Sequence, residues 1–256
     1  METINIFIGN EPKTNIPCKV LQYSILKHTK NPVEFTIGEG ESWIDLSKRK
    51  LGVGTGFSLQ RWSIPEGFNY EGFCIYLDAD QIVLTDIAEL WNINVTSGKP
   101  NASSIYCTYQ SDKWYANAPN TSVMLIDNEM AKTDWWTIEQ IVNALELDCP
   151  NRKTYAEIMH AKHILNHPPV KITDDWNCLN KPTETTKLLH YTVEHAQPWY
   201  NPKHPYAYVW KNYMIEAIKE GFIQKTEVKE AIGNFRPATR NQRANGIHPY
   251  WTKWIR

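Results

Sequence analysis

The chain has 256 residues, of which 42% are apolar and 21% charged, and its formal net charge is −1. This length suits one large α/β domain or two small ones, and the apolar fraction can fill a substantial core. A near-neutral charge excludes a general attraction to nucleic acid, so nucleic acid is not a predicted partner. The 11 Trp and 13 Tyr could stack on sugar rings, although large aromatic side chains also fill cores.

The cysteine pattern and the first residues of the chain indicate the cellular compartment of the protein. The five cysteines include no CxxC pair, which excludes a zinc knuckle and a disulfide framework and predicts reduced thiols. The opening METINIFIGN has no basic segment followed by a long apolar run, so it does not resemble a signal peptide. No stretch is apolar for long enough to span a membrane. We therefore expect a cytoplasmic protein.

The first forty residues carry strand and helix signals in alternation. Residues 4–8 and 33–37 are short apolar runs typical of buried strands, and 17–28 has helical spacing with a basic end. This strand–helix–strand order predicts a parallel α/β sheet. The glycine-rich segment 52–56 lacks the Gly-Lys-Ser/Thr of a P-loop and is interpreted as a flexible loop.

The later elements continue the α/β pattern and become mainly helical after residue 127. Strands are predicted at 73–77, 104–108 and 122–126, and helices at 57–64, 86–91, 135–147, 155–165 and 206–221. We predict one domain at 1–234, followed by a basic and aromatic C-terminal tail at 235–256.

Two aspartates, Asp78 and Asp80, directly follow the strongest buried-strand signal, FCIYL at 73–77. Ligand sites in open α/β sheets gather beyond the carboxyl ends of strands. Two neighbouring carboxylates repel each other unless a cation lies between them, and a divalent metal supplies that cation and can also take phosphate oxygens. The alternative is a pair of solvated acids. The apolar residues on both sides of the pair favour a metal site.

Several segments resemble blocks of family 8 glycosyltransferases, which include glycogenin-like enzymes and bacterial lipopolysaccharide galactosyl- and glucosyltransferases. YLDADQIVLTDIAELW at 76–91 resembles the metal-binding block of this family. NTSVMLID at 120–127 and LLHYT with QPW at 188–199 resemble two further blocks in the same order. The segments IFIGNEP and FSLQRW resemble a bacterial branch of the superfamily. The resemblance covers about residues 3–215.

The resemblance implies a GT-A fold, which is a single α/β domain with a Rossmann-like mixed sheet flanked by helices. A nucleotide-sugar half at 1–127 would join an acceptor half at 128–234. The implied activity transfers a sugar from a nucleotide diphosphate donor, expected to be UDP-linked, to a carbohydrate or other hydroxyl acceptor, with retention. The implied metal is Mn²⁺ or Mg²⁺, held by Asp78, Asp80 and His190. The implied donor-binding residues are Arg61, Asp78, Ala79, Asp80, Asn120 and Gln197.

Three of these residues also have ordinary structural interpretations. His190 stands beside apolar residues and could be a satisfied core histidine. Arg61 could be a surface arginine on a helix rather than a phosphate-binding guanidinium. Asn120 follows a proline and could be a turn asparagine.

The chain departs from the family pattern around the reacting groups. Gln197 replaces a lysine that contacts the diphosphate in the family, and the glycine of the same block is missing. The family's Asp-Gln pair near the reacting carbon has no clear equivalent. Glu157 is the nearest catalytic candidate by position, together with Asn120, and Asp174 and Asp175 are rivals.

These departures leave other functions open. The chain could be a nucleotide-sugar-binding protein that has lost turnover, or a nucleotidyltransferase or phosphohydrolase, since those enzymes also use paired aspartates. The tail at 235–256 could contact the inner face of an anionic membrane through its basic and aromatic residues, or pack on its own domain.

Overall fold

The structure is a computed structural model that describes residues 2–39, 56–96, 103–109, 117–147, 152–237 and 245–254. Parts of the predictions lie outside the described residues, namely most of the glycine-rich loop (52–55), Cys149, and the tail residues Arg240, Arg243 and Arg256. The four described cysteines are free thiols, as the spacing predicts.

The chain forms two compact units. The first comprises residues 1–11, 31–78 and 88–176, and the second comprises 12–30, 79–87 and 177–256. One passage from the first unit to the second falls after Asp78, inside the Asp78-Ala79-Asp80 motif. The predicted division into halves at 1–127 and 128–234 stays a prediction.

The first unit contains a mixed six-stranded sheet and six α-helices among its described residues. Its strands are β1 Ile4–Asn10, β2 Val33–Glu39, β3 Phe73–Asp78, β5 Ile105–Tyr109, β6 Pro119–Asp127 and β7 Val170–Lys171. Its helices are α2 Ile64–Gly67, α3 Ala88–Trp91, α4 Ile93–Thr96, α5 Asn128–Asp134, α6 Ile138–Leu147 and α7 Arg152–Met159. The strand order is β2-β1-β3-β6-β5-β7.

This sheet brings Asp78 to the carboxyl edge of three parallel strands. β1 pairs in parallel with β2 and β3, whereas β6 is antiparallel to both β3 and β5. The register places Asn10 opposite Glu39, and Gly9 opposite Asp78. β1 is almost continuously buried, as expected for a central parallel strand that is covered on both faces. The predicted α/β class is therefore confirmed.

The short helix predicted at 57–64, which carries Arg61, is a 3-10 helix at Gly56–Ser63, and the short α-helix α2 follows it. Pro65 stands at the start of α2 and has no N–H to donate to the carbonyl of Arg61 four residues earlier. The Ser63 hydroxyl donates to the Gln60 carbonyl, which also diverts a backbone acceptor from α-helical bonding.

Among its described residues, the second unit contains a small three-stranded sheet and three α-helices. Its strands are β4 Gln81–Val83, β8 Cys178–Leu179 and β9 Leu188–His190, and its helices are α1 Asn15–His28, α8 Ala207–Lys219 and α9 Lys225–Gly233. β9 is central, antiparallel to β4 and parallel to β8, and it pairs His190 with Gln81 on one side and Leu179 on the other. None of these three strands was predicted, since each has at most three residues.

Three tryptophans form the centre of the core in the second unit. Each of them, Trp199, Trp210 and Trp251, is 1% exposed. The ring centre of Trp210 lies 5.7 Å from the ring centre of Trp199 and 5.4 Å from that of Trp251. Their indole N–H groups have no hydrogen-bond partner among the described residues. Trp251 and the buried Ile247 belong to the predicted tail, so this part of the tail packs on the protein itself.

Candidate metal site

Asp78, the last residue of β3, is held by an arginine and a tyrosine. Its Oδ1 accepts hydrogen bonds from Arg61 Nη2 at 3.1 Å and from the Tyr76 hydroxyl at 2.5 Å. The guanidinium carbon of Arg61 also lies 4.6 Å from the centre of the Tyr76 ring. Arg61 is only 6% exposed, so the interpretation as a surface arginine is wrong. The buried guanidinium compensates the charge of Asp78 and fixes its orientation.

Arg61 also links the end of β3 to β6 and α7. Its Nη1 donates to the carbonyl and hydroxyl oxygens of Thr121, at 2.7 and 3.0 Å, and its Nε donates to the Ser58 carbonyl at 3.0 Å. The Thr121 hydroxyl in turn donates to the Met159 carbonyl at 2.6 Å. One hydrogen-bonded network therefore joins Asp78, the strand that carries Asn120, and the last turn of α7.

The predicted catalytic residues lie near this network. Asn120 directly precedes Thr121, and its Oδ1 accepts from the Ser122 backbone N–H at 3.2 Å and hydroxyl at 2.7 Å. Glu157 lies on α7, two residues before Met159, and is partly exposed. The rivals Asp174 and Asp175 begin a 3-10 helix, Asp174–Asn177. The catalytic roles stay predictions.

Asp80 and His190 meet in the second unit. Asp80 Oδ1 lies 3.0 Å from His190 Nε2, and the Asp80 carbonyl accepts from the Tyr191 N–H at 3.0 Å. The His190 side chain is 6% exposed and the Asp80 side chain 21%. β4 begins directly after Asp80 and pairs with β9, so the small sheet itself brings these two side chains together.

The protonation of this pair leaves a place for a cation. His190 Nδ1 lies 2.9 Å from Asn177 Oδ1, an acceptor, and 3.5 Å from Gln81 Nε2, a donor, and the shorter contact favours the neutral tautomer that carries its proton on Nδ1. Nε2 then presents its lone pair to Asp80 Oδ1, a buried oxygen that accepts no hydrogen bond from the described residues. Two electron-rich atoms at this distance repel each other unless a proton or a metal ion lies between them. Carboxylate plus imidazole is a donor set that suits Mn²⁺.

Gln197 contacts Asp80 from the other side. Its Nε2 donates to Asp80 Oδ2 at 2.9 Å and to the Tyr191 carbonyl at 2.8 Å, and the residue is 6% exposed. Gln197 is one of the donor-binding residues that the sequence resemblance implies. Asn177 has no sequence signal, because an isolated asparagine after a tryptophan has no distinctive pattern.

The covalent chain keeps the two aspartates close. One residue, Ala79, separates Asp78 from Asp80, and two residues of extended chain span at most about 7 Å. Ala79 is 5% exposed, which places this link in a packed environment rather than in a solvated loop.

Solved glycosyltransferase structures are similar to this chain. For GlyE of Streptococcus pneumoniae the TM-score is 0.63 at 15% identity, covering 94% of this chain and 66% of GlyE. For the galactosyltransferase LgtC, solved with donor and acceptor sugar analogues, the TM-score is 0.58 at 12% identity. The match covers 82% of this chain and 95% of the LgtC chain. For the bifunctional glycosyltransferase WbbM the TM-score is 0.59 at 9% identity, and the match covers 83% of this chain and 49% of the WbbM chain.

The chain has the GT-A fold. The mixed sheet and its flanking helices match those of these glycosyltransferases, which confirms the fold expected from the sequence resemblance. The chain spans about half of the WbbM chain and two thirds of GlyE. A curated relative, Protein CDI of Arabidopsis thaliana, is 25% identical over 241 residues, which are 84% of this chain and 87% of that protein. No family model matches the chain.

Proposed function

We propose that this chain is a metal-dependent glycosyltransferase that moves a sugar from a UDP-linked donor to a hydroxyl acceptor, with retention of the anomeric configuration. The observation that carries the proposal is the pair of Asp80 Oδ1 and His190 Nε2, two atoms 3.0 Å apart in a chain with a glycosyltransferase fold. A proton or a metal ion must lie between these two atoms, and the glycosyltransferase fold is the reason why we propose a metal ion.

The proposed metal ligands are Asp78, Asp80 and His190, each of which offers one ligand atom. Carboxylate oxygens suit Mn²⁺ and Mg²⁺ alike, and the imidazole favours Mn²⁺. When bound, such an ion supplies positive charge that stabilises the leaving diphosphate. Arg61 contributes indirectly, because its guanidinium holds the Asp78 carboxylate at the end of β3.

The proposed catalytic residues are Glu157 and Asn120, and Asn120 is also a proposed donor-binding residue. The network from Arg61 through Thr121 to Met159 supports this assignment, because it joins β6 and the last turn of α7 to Asp78. In the reaction the bond from the anomeric carbon to the diphosphate oxygen breaks, and a bond to the acceptor oxygen forms on the same face. In the net reaction, the proton of the acceptor hydroxyl passes to the leaving diphosphate.

The test is UDP release from UDP-sugars by the wild type and by Asp80→Asn, with Mn²⁺ or with EDTA. Asparagine keeps the size of the side chain but removes the charge that binds the cation. We expect Mn²⁺-dependent release by the wild type and a loss of about 100-fold or more in the variant, as for the removal of an electrostatic catalytic group. Equal activity in both proteins would rule out the metal role.

The same assay separates the alternative functions. Release of pyrophosphate or a nucleoside monophosphate, instead of UDP, would identify a nucleotidyltransferase or a phosphohydrolase. A donor screen by thermal shift with Mn²⁺ shows binding independently of turnover, because a ligand of the native state raises its stability. Donor binding without product from any acceptor would identify a binding protein.

We further propose peripheral membrane contact through the C-terminal segment. Tyr250 and Trp254 are 44% and 39% exposed, and the ammonium of Lys253 lies 3.6 Å from the centre of the Tyr250 ring. In the part of the chain that the structure describes, every helix is too short or too polar to cross a bilayer. The test is co-sedimentation with anionic and neutral vesicles. Binding to anionic vesicles that a Tyr250→Ser, Trp254→Ser double variant retains would contradict this contact.

A further inference from the structure

We infer that Gln197 and Asn177 are positioning residues that orient Asp80 and His190 for the cation, and that Gln197 does not bind the donor diphosphate. This inference rests on the proposed function, because it assigns roles toward the same metal. It also departs from the expectation raised by the sequence resemblance, in which Gln197 takes the place of a diphosphate contact.

The side chain of Gln197 has no hydrogen-bond donor left for a phosphate. Its amide nitrogen carries two hydrogens, and both are used inside the protein, one on Asp80 Oδ2 at 2.9 Å and one on the Tyr191 carbonyl at 2.8 Å. Its remaining polar atom, Oε1, is an acceptor and cannot bind a phosphate oxygen, which is also an acceptor. With 6% of the residue exposed, rotation of this side chain toward a ligand would break two buried hydrogen bonds.

Gln197 instead selects which oxygen of Asp80 faces the cation. The amide occupies Oδ2, so Oδ1 is left facing His190 Nε2 across 3.0 Å. The Tyr191 backbone closes the arrangement, since its N–H donates to the Asp80 carbonyl and its C=O accepts from Gln197. The carboxylate is thereby held in one rotamer by bonds to both the side chain and the backbone of its own residue.

Asn177 orients the imidazole ring of His190 in a similar way. Its Oδ1 accepts from His190 Nδ1 at 2.9 Å, a shorter contact than the 3.5 Å between the Gln81 amide nitrogen and the same atom, and it thereby favours the tautomer that leaves Nε2 available as a ligand. Asn177 ends a 3-10 helix directly before β8 and is 6% exposed, so its carbonyl is held in place by packed structure. Outer partners of this kind typically change metal affinity by 10–100-fold when they are removed.

The decisive measurement is Mn²⁺ affinity in the absence of donor and acceptor, by calorimetry or by electron paramagnetic resonance of free Mn²⁺. Gln197→Met keeps the length of the side chain but cannot donate, and we expect the Mn²⁺ affinity to fall by about 10-fold or more.

UDP affinity is measured separately with EDTA present, and we expect it to stay within twofold of the wild type. Gln224→Met is the matched control, because its amide donates to the Gly221 carbonyl in the same unit; it should bind Mn²⁺ like the wild type.

Two variants of Asn177 test the inference if Gln197→Met does not fold. Asn177→Leu removes the acceptor, and we expect weaker Mn²⁺ binding, whereas Asn177→Asp keeps an acceptor for Nδ1–H and should restore it. Unchanged Mn²⁺ affinity in folded Gln197→Met, with weaker UDP binding, would overturn the inference and leave the proposed function standing. A wild-type chain that binds no Mn²⁺ would overturn the proposed function as well.

Discussion

Arg61 and Asp78 form a largely buried ion pair in which Nη2 lies 3.1 Å from Oδ1 and the side chains are 7% and 15% exposed. The same guanidinium donates to the backbone of Ser58 and Thr121. Arg61 is therefore a structural support of the proposed metal ligand, and its first expected contribution is to stability.

Substitution of Arg61 by methionine should destabilise the protein by about 3–5 kcal/mol, because it leaves the Asp78 carboxylate without its cationic partner and removes a buried hydrogen bond to the Thr121 carbonyl. Urea unfolding followed by circular dichroism measures this loss. Lys132→Met removes a cation that lies 5.8 Å from the Tyr70 ring centre and should change stability by less than about 1 kcal/mol. A loss below 1 kcal/mol in Arg61→Met would show that its hydrogen-bonded network contributes little.

Replacement of His190 by alanine should abolish the stabilisation of the protein by Mn²⁺. A ligand at 100 times its dissociation constant stabilises the native state by about 2.7 kcal/mol, and the variant lacks one of the proposed ligands. Thermal unfolding with Mn²⁺ and with EDTA measures the difference. His167→Ala is the control, since His167 pairs with Asp134 in the other unit and should leave the Mn²⁺ effect intact. A full Mn²⁺ effect in His190→Ala would exclude His190 from the site.

His28 should make stability depend on pH. Burial, and secondarily the Lys27 ammonium, lower the pKa of His28, although Asp86 and Glu216 act in the opposite direction. Burial raises the pKa of Tyr213 to about 12, so its hydroxyl stays protonated and can donate to the neutral His28 ring at 2.7 Å. Because the unfolded chain binds the proton more readily, this contribution is present above about pH 6.5 and is lost as pH falls through the lowered folded pKa.

Urea unfolding at pH 7.5 and 5.5 tests the role of His28. The wild type should lose more stability over this interval than His28→Gln, which cannot take up the proton. His204, whose pKa burial also lowers, remains in both proteins and supplies a shared background. An identical pH slope in the two proteins would contradict the prediction.

Trp251→Ala should destabilise the protein by about 3–5 kcal/mol, because it opens a cavity against Trp210 in the core of the second unit. Trp254→Ala, at a position 39% exposed, should cost less than about 1 kcal/mol. Chemical unfolding of both variants measures the contrast. Similar losses in the two would mean that residues 249–254 do not pack as described.

The sequence was sufficient to predict the long buried strands and to locate Asp78 and Asp80 at the end of one of them. Apolar runs predicted β1 and β3, because strands covered on both faces need consecutive hydrophobic residues. Asp78 and Asp80 could be found because they directly follow such a run. Helix α1 was predicted from its spacing and its basic end, and the structure places it at Asn15–His28, two residues longer at its start.

Other elements depend on contacts that no local pattern encodes. β4 and β9 have three residues each and exist because they pair with each other. Helix α5 was missed, although Asp127 caps it by accepting from the Met130 N–H. The hydrogen bond from Gln197 to Asp80 joins residues 117 positions apart, so its existence follows only from the folded chain.

The three indoles of Trp199, Trp210 and Trp251 give the second unit a cluster of buried fluorophores. Their rings are 1% exposed and their N–H groups find no partner among the described residues, so their fluorescence should be emitted at shorter wavelength than that of solvated tryptophan. Subtracting the spectrum of a Trp210→Phe variant isolates part of this emission. A red shift of the difference spectrum during denaturation would time the opening of the unit that carries Asp80 and His190.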